Sequence, residues 1–316
     1  MARIMGIINI TPDSFFRGSR YLGRDGNPDT GRICDTVARM LDSGADIVDF
    51  GAVSSRPGAD AVDIAEERRR LIPAIKEISA RFPKLLFSVD TTRADIVKEV
   101  YDIAGPFIVN DISAGEEDSE MLPLVGELSL QYIAMHRRGT PETMQNLTFY
   151  PEGVVAAVNA YFGDFCRRAE DCGISDWILD PGFGFAKTVE QNYELLEALG
   201  EFKHFGKPIL VGISRKSMVY APFSGSPDDC LEQTRALHLK ALERGADILR
   251  VHDVADAALT LKNHKGPDCK SAEFADQKQE MCPDGRSLVE SQGNRNNIAY
   301  DRNPADKGHP HSVFVD

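Results

Sequence analysis

Short apolar runs without helical spacing alternate along residues 4–262 with longer stretches whose apolar positions recur every three or four residues. The first kind reads as parallel strands buried on both faces, the second as helices with one face turned inward. Strands are expected over residues 4–9, 46–50, 85–90, 107–111, 131–135, 177–180, 208–212 and 247–251. Helices are expected over 30–43, 65–81, 92–101, 119–128, 154–172, 189–199, 226–244 and 253–262. Thr188, with Gln191 three residues on, has the form of a capping box, so Asp180 is not needed to cap that helix. Thr92 with Asp95 predicts a second cap, Ser226-Pro227-Asp228-Asp229 a third, and Asp253 is expected to cap the last helix.

Strand, helix, strand repeated eight times in this length is the order of a TIM (β/α)8 barrel, with a doubly wound open sheet as the alternative. Polar residues decide between them. Asn9, Asp49, Asp90, Asn110, His136, Asp180, Lys216 and His252 stand at or just past the carboxyl ends of all eight strands. An open sheet gathers such residues only at its switch point, whereas a barrel brings every strand end to one mouth. A short internal echo, Gly44-Ala45-Asp46 and Gly245-Ala246-Asp247, marks the same helix-to-strand step twice. Three stretches, 11–29, 54–63 and 137–151, are too long for plain connectors and read as functional loops. The barrel is expected to occupy residues 1–264. Residues 265–316 lose branched aliphatics and periodicity and read as a poorly structured polar tail. His309 and His311 lie in it and are read as solvated.

Composition narrows the function. The formal net charge of -13 over 316 residues argues against nucleic acid or an anionic membrane as partner. No apolar run reaches a membrane span, and no leader pattern precedes the first strand, so a soluble cytoplasmic protein is expected. Cys34, Cys166, Cys172, Cys230, Cys269 and Cys282 show no metal-ligand spacing and are expected to be reduced. In so acidic a chain, any anionic ligand needs a local cluster of positive charge.

Such a cluster exists on paper. Arg250 and His252 are two apart on the eighth strand and share a face, and Ser214-Arg215-Lys216-Ser217 follows the seventh. With Arg56 they form a candidate anion trap where barrels often hold phosphate. Arg215 and Arg250 also admit a reading as structural ion pairs. Asp180 ends a buried strand and runs into Pro181-Gly182-Phe183-Gly184-Phe185, where a flat ring with adjacent N–H donors would satisfy both its oxygens. Asp90 and Asn110 add to a ring of hydrogen-bonding groups suited to a nitrogen-rich heterocycle. Asn9 could orient a phosphate oxygen or a metal-bound one, and with no carboxylate cluster a magnesium ion arriving with a diphosphate is the expected form. His136 is read either as lining the pocket or as bonding the loop.

Together, Asn9-Ile-Thr-Pro-Asp-Ser-Phe15, Ser55-Arg56-Pro57-Gly58, Ser88-Val-Asp90-Thr91, Asn110-Asp-Ile112, Met135-His136, Leu179-Asp-Pro-Gly-Phe-Gly-Phe185, Gly212-Ile-Ser-Arg-Lys-Ser217 and Arg250-Val-His-Asp253 strongly resemble the dihydropteroate synthase family of folate biosynthesis. The resemblance covers residues 4–262. It implies a magnesium-dependent transferase that joins 6-hydroxymethyl-7,8-dihydropterin diphosphate to 4-aminobenzoate, and a sulfonamide-target homodimer. By that pattern Asp90, Asn110, Asp180 and Lys216 hold the pterin, and Met135, Phe185, Gly212 and Ser214 complete the substrate site. Asn9, Arg250 and His252 hold the diphosphate with magnesium, Asn9 being the metal contact. Ser55, Arg56 and Pro57 close over the aminobenzoate. The catalytic set implied is Asp90, Asp180, Lys216, Arg250 and His252. Phe16-Arg17-Gly18-Ser19, Val53 to Ser55, and Ala186 in place of a frequent glycine depart from the pattern. The competing readings are a methyltetrahydrofolate-binding methyltransferase barrel and a non-catalytic pterin-binding protein.

Overall fold

Parallel strands can only close on themselves if each is buried on both faces, and the apolar runs here meet that demand. In the computed structural model, which describes residues 2–12, 21–23, 25–54, 62–140 and 143–264, the strands are β1 Arg3–Asn9, β2 Ile47–Gly51, β3 Phe87–Asp90, β4 Ile108–Asp111, β5 Gln131–Met135, β6 Trp177–Asp180, β7 Leu210–Val211 and β8 Ile248–Val251. The helices are α1 Thr30–Asp42, α2 Ile64–Arg81, α3 Ala94–Ala104, α4 Met121–Glu127, α5 Val154–Asp171, α6 Val189–Glu197, α7 Ser217–Tyr220, α8 Leu231–Glu243 and α9 Val254–Asn263. The tail 265–316 lies outside the described residues.

The strands pair in parallel in the order β6-β5-β4-β3-β2-β1-β8-β7. A parallel bridge between Leu179 and Ile209, with the Leu179 N–H donating to the Pro208 carbonyl at 2.9 Å, closes β6 onto β7. The open-sheet alternative is thereby excluded. Outward residues such as Ile8, Phe50, Val89, Val109, Leu179 and Val251 join the helices in one large apolar core. Burying side chains of this size contributes about 1.5–3 kcal/mol each, the main force holding helices to barrel.

Inside, Met5, Ile47, Ile108, Ile133, Ile178, Leu210 and Ile248 form a separate, fully buried plug. Side chains alternate along a strand, so the next inward position lies two residues on. There the wall turns polar: Asp49, Asn110, Asp180 and Arg250 follow Ile47, Ile108, Ile178 and Ile248. The plug is thus the floor beneath a charged belt at the carboxyl ends.

The echoed tripeptides turn out to be one device used twice. Gly44 and Gly245 stop α1 and α8 at φ of 98° and 102°, which favours glycine. Asp46 then accepts the Ile4 N–H, and Asp247 the Ile209 N–H, each at 2.8 Å, tying the coming strand to its neighbour. The capping box of Thr188 and Gln191 is present on α6. Three starts differ from expectation. Ser226 Oγ bonds the Asp229 carboxylate at 2.7 Å, so residues 226–229 make a turn and α8 begins only at Leu231. Thr92 does not cap α3; its Ala94 N–H is satisfied by Asp118 at 2.8 Å. Asp253 occupies the N-cap position of α9 without capping it, because its carboxylate is taken by Arg215. No helix among the described residues is long and apolar enough to cross a membrane.

Candidate active site

Four strands deliver the charged belt. Asp49 of β2 is fully buried and accepts from Ser88 Oγ, from Asn110 Nδ2 at 3.2 Å to each carboxylate oxygen, and from Arg250 Nε at 2.7 Å. Arg250 Nη2 reaches Asp49 at 2.6 Å and Asp90 at 2.9 Å, so one guanidinium joins β8 to β2 and β3. Arg250 is therefore ion-paired within the mouth, and both readings of it from sequence describe part of its environment. Burial pushes the Asp90 carboxyl up, with Arg250 drawing it back and Asp49 adding to the rise. For Arg250, burial alone would weaken the proton; Asp49 and then Asp90 outweigh it and raise the guanidinium further.

Asp180, at the end of β6, is buried and accepts the Gly182 N–H at 2.8 Å. Burial raises its pKa, while Lys216 and Arg250 are among the charges that lower it. Burial in turn brings Lys216 down to about 8 against the pull of Asp180. The Lys216 ammonium donates to the Phe183 carbonyl at 2.5 Å and lies 4.7 Å from the centre of the Phe185 ring. A β-carbon placed on Gly212 would be 3.9 Å from Arg250 Cβ and 4.0 Å from Lys216 Nζ, so those two cations flank it. A β-carbon on Gly51 would lie 3.4 Å from both Asn9 Oδ1 and Asp90 Cβ, which puts the amide beside the acid. His252 Nδ1 meets Ser214 Oγ at 3.1 Å, linking the loops after β7 and β8. Met135 and Phe185 share an apolar patch with Met144 and Ala186.

Asn9, Asp90, Asn110, Met135, Asp180, Phe185, Gly212, Ser214, Lys216, Arg250 and His252 thus come from every part of the chain to one end of the barrel. Ser55, Arg56 and Pro57 lie outside the described residues. Arg215 turns away to Asp253 and Asp228, at 2.9 and 3.2 Å, so the anion trap drawn from sequence loses it to an ion-pair network. His136 is 2% exposed and bonds Lys187 Nζ at 2.9 Å, the loop-bonding one of its two readings. Sequence reasoning gave Asp49 no role, although it stood among the strand-end residues. It also passed over Lys187, whose burial no local pattern reveals. Among the described residues no group of three or more His, Cys, Asp or Glu could hold a metal. A lone amide oxygen at Asn9 suits an ion that brings most of its ligands with it.

Belts of paired acid and base at a barrel mouth are common to many enzymes, so comparison with known proteins carries the rest. Residues 5–252 match the family described as pterin binding enzyme. The dihydropteroate synthase of Escherichia coli strain K12 is 39% identical over 264 residues, covering 82% of this chain and 89% of that one. That of Haemophilus influenzae is 38% identical over 262 residues, 82% and 92% of the two chains. Among solved structures, the Yersinia pestis dihydropteroate synthase in a sulfonamide drug complex superposes with a TM-score of 0.76 at 35% identity, over 83% of this chain and 92% of that one. The Xanthomonas albilineans enzyme with 4-aminobenzoic acid gives 0.73 at 34% identity, over 83% and 91%. With fold, site and kinship in agreement, the chain belongs to the pterin-binding enzymes and, within them, to the dihydropteroate synthases of folate biosynthesis.

Proposed function

We propose that the belt divides its substrate by charge. The pterin ring of the dihydropterin diphosphate sits over Asp90, Asn110 and Asp180 with Lys216 at its edge, between Met135 and Phe185. Asn9, Ser214, Arg250 and His252 receive the diphosphate. Magnesium, carried in with the diphosphate and touched by Asn9, would supply charge neutralisation on the leaving group. Among the described residues the bonds of Arg250, to Asp49 and Asp90, run through Nε and Nη2, which would keep Nη1 for a ligand oxygen.

The 4-aminobenzoate nitrogen attacks the exocyclic methylene carbon as the bond from that carbon to the diphosphate oxygen breaks. The pair of electrons leaves with diphosphate, and the new secondary amine sheds one proton to solvent. Positive charge that grows on the pterin as the bond loosens is met by Asp90 and Asp180, and negative charge on the leaving group by Lys216, Arg250 and His252. Fixed charges of this kind cost no reorganisation at the moment of reaction, and removing one is worth about 3 kcal/mol, or roughly a hundredfold in rate.

The observation that carries this reading is the adjacency of acids and cations on one belt above an apolar floor. The test is diphosphate release from dihydropterin diphosphate by the full chain, with and without 4-aminobenzoate and magnesium. Release that needs both supports the reading; tight pterin binding with no product in their presence would turn it into a binding protein. A homodimer through barrel helices belongs to the same proposal, supported by exposed Phe223, Leu231 and Leu239 around α8. Light scattering that returns a monomeric mass would remove it.

A further inference from the structure

Lys187 is 4% exposed and forms no ion pair among the described contacts, an unusual setting for an ammonium. Its Nζ donates to the Gly182 and Phe185 carbonyls, at 2.9 Å each, lies 2.9 Å from His136 Nδ1, and is 3.3 Å from the His136 carbonyl. Those acceptors belong to the end of β5 and to the loop that follows β6. A side chain on Gly182 would drive its β-carbon to 1.9 Å from the His136 carbonyl oxygen, so the loop lies directly on the strand end at this point. The Gly182 residue therefore faces two ways: its carbonyl is held by Lys187, and its N–H is the donor that orients Asp180. Phe185 is held likewise, with its carbonyl on Lys187 and its ring under the Lys216 ammonium.

We propose that Lys187 is a positioning residue for the pterin half of the site, acting as a buried amine around which the 181–186 loop is folded. The inference rests on the function proposed above. It does not depend on the charge of Lys187. A protonated amine has three donors for His136 Nδ1 and the two nearer carbonyls, with the histidine proton on Nε2. A neutral amine would donate to the two carbonyls and accept from Nδ1–H. Both carbonyls are held in either form. Burial pushes Lys187 well below the usual lysine range and His136 well below the usual histidine range, so the pair has little solvent to turn to if it is broken.

The reading separates the two substrates. Loss of Lys187 should loosen Asp180 and Phe185, which touch the pterin, and leave aminobenzoate recognition alone. The test uses the full chain with Lys187→Met, which keeps the length of the side chain and removes its donors, and Lys187→Gln, which keeps two of them. Circular dichroism and the fluorescence of Trp177, the sole tryptophan, report folding. Wild-type protein must first bind 6-hydroxymethylpterin and form product; if it does neither, the proposed function fails and Lys187 is not at issue. With active wild type, folded Lys187→Met should bind 6-hydroxymethylpterin at least about tenfold more weakly. KM for the pterin substrate should rise in parallel, KM for 4-aminobenzoate should hold within about twofold, and Lys187→Gln should fall between. Unchanged pterin affinity in a folded Lys187→Met protein, or an equal rise in both KM values, overturns the proposal. If neither variant folds, Lys187 is a folding determinant and the proposal likewise falls.

Discussion

Asp49→Asn tests whether the charged belt is held together by this buried carboxylate. The change keeps the shape of the side chain and removes its charge. One oxygen now takes Arg250 at both Nε and Nη2, and Asn110 Nδ2 stands 3.2 Å from both oxygens. An amide can present an oxygen to Arg250 only by turning its NH2 toward Asn110, another donor. The variant thus converts two charge-assisted bonds to neutral-acceptor ones and adds a donor–donor conflict. Breaking a buried ion pair by altering one partner costs about 3–5 kcal/mol, against a total stability of about 5–15 kcal/mol. In a barrel of this size that lowers the melting temperature by about 6–20 °C. Urea unfolding followed by Trp177 emission, with calorimetry on the same samples, measures it. Because Asp49 helps to raise the Asp90 carboxyl, the same variant should ionise Asp90 at lower pH. A loss below about 1 kcal/mol would show that Asp90 alone suffices to hold Arg250, and Asp49 would then not be the group that binds the belt together.

Ala186 adopts a φ of 52° where the family often has glycine. An L-residue there costs about 1–2 kcal/mol, partly offset by the extra freedom glycine has when unfolded, so Ala186→Gly should gain about 0.5–1 kcal/mol in urea titrations. Lys216 has a lower pKa folded, about 8, than unfolded; the folded state holds fewer protons between those values, so stability should rise with pH from about 8 upward in wild type but not in Lys216→Met. The kcat/KM profile for the pterin substrate should rise as the raised Asp90 and Asp180 carboxyls ionise and fall near pH 8 as Lys216 loses its charge, with Lys216→Arg abolishing the fall. Chelation of magnesium should abolish diphosphate release and leave 6-hydroxymethylpterin binding within about twofold, because no carboxylate cluster among the described residues depends on the ion.

Regular elements were legible wherever local signals had no competitor. The Thr188 and Gln191 box and the Gly44 and Gly245 stops needed only their own neighbours. Ser226-Pro227-Asp228-Asp229 fits a helix start and a tight turn equally well, and the structure takes the turn, closed by the Asp229 N–H on the Ser226 carbonyl and by the Ser226 hydroxyl donating to the Asp229 carboxylate. Asp253 was misread for a related reason: a carboxylate at an N-cap position serves an arginine as readily as a backbone N–H, and Arg215 lies 38 residues upstream. Period two at the strand ends gave most of the site. It could not give the pairing of Asp49 with Arg250, 201 residues apart in the chain, nor the burial of Lys187, since a lysine next to a helix cap normally reaches solvent.

That hidden pairing also explains how so many charges can share a barrel mouth. Asp49 and Asp90 share Arg250, and Asp180 faces Lys216, so each charge in the belt has an opposite neighbour before any ligand arrives and avoids the cost of isolated buried charge. A ligand of one sign would upset that balance. A ligand that is electron-poor at one end and anionic at the other reinforces it, provided each end faces its complement, and the complement grows stronger as the bond between the two ends lengthens. An aminobenzoate-dependent displacement from a pterin diphosphate is a reaction of this polarity. Arg250, which the sequence admits both as a structural ion pair and as part of an anion site, would in the proposed function serve as both: its bonds to Asp49 and Asp90 hold the belt that receives the ligand.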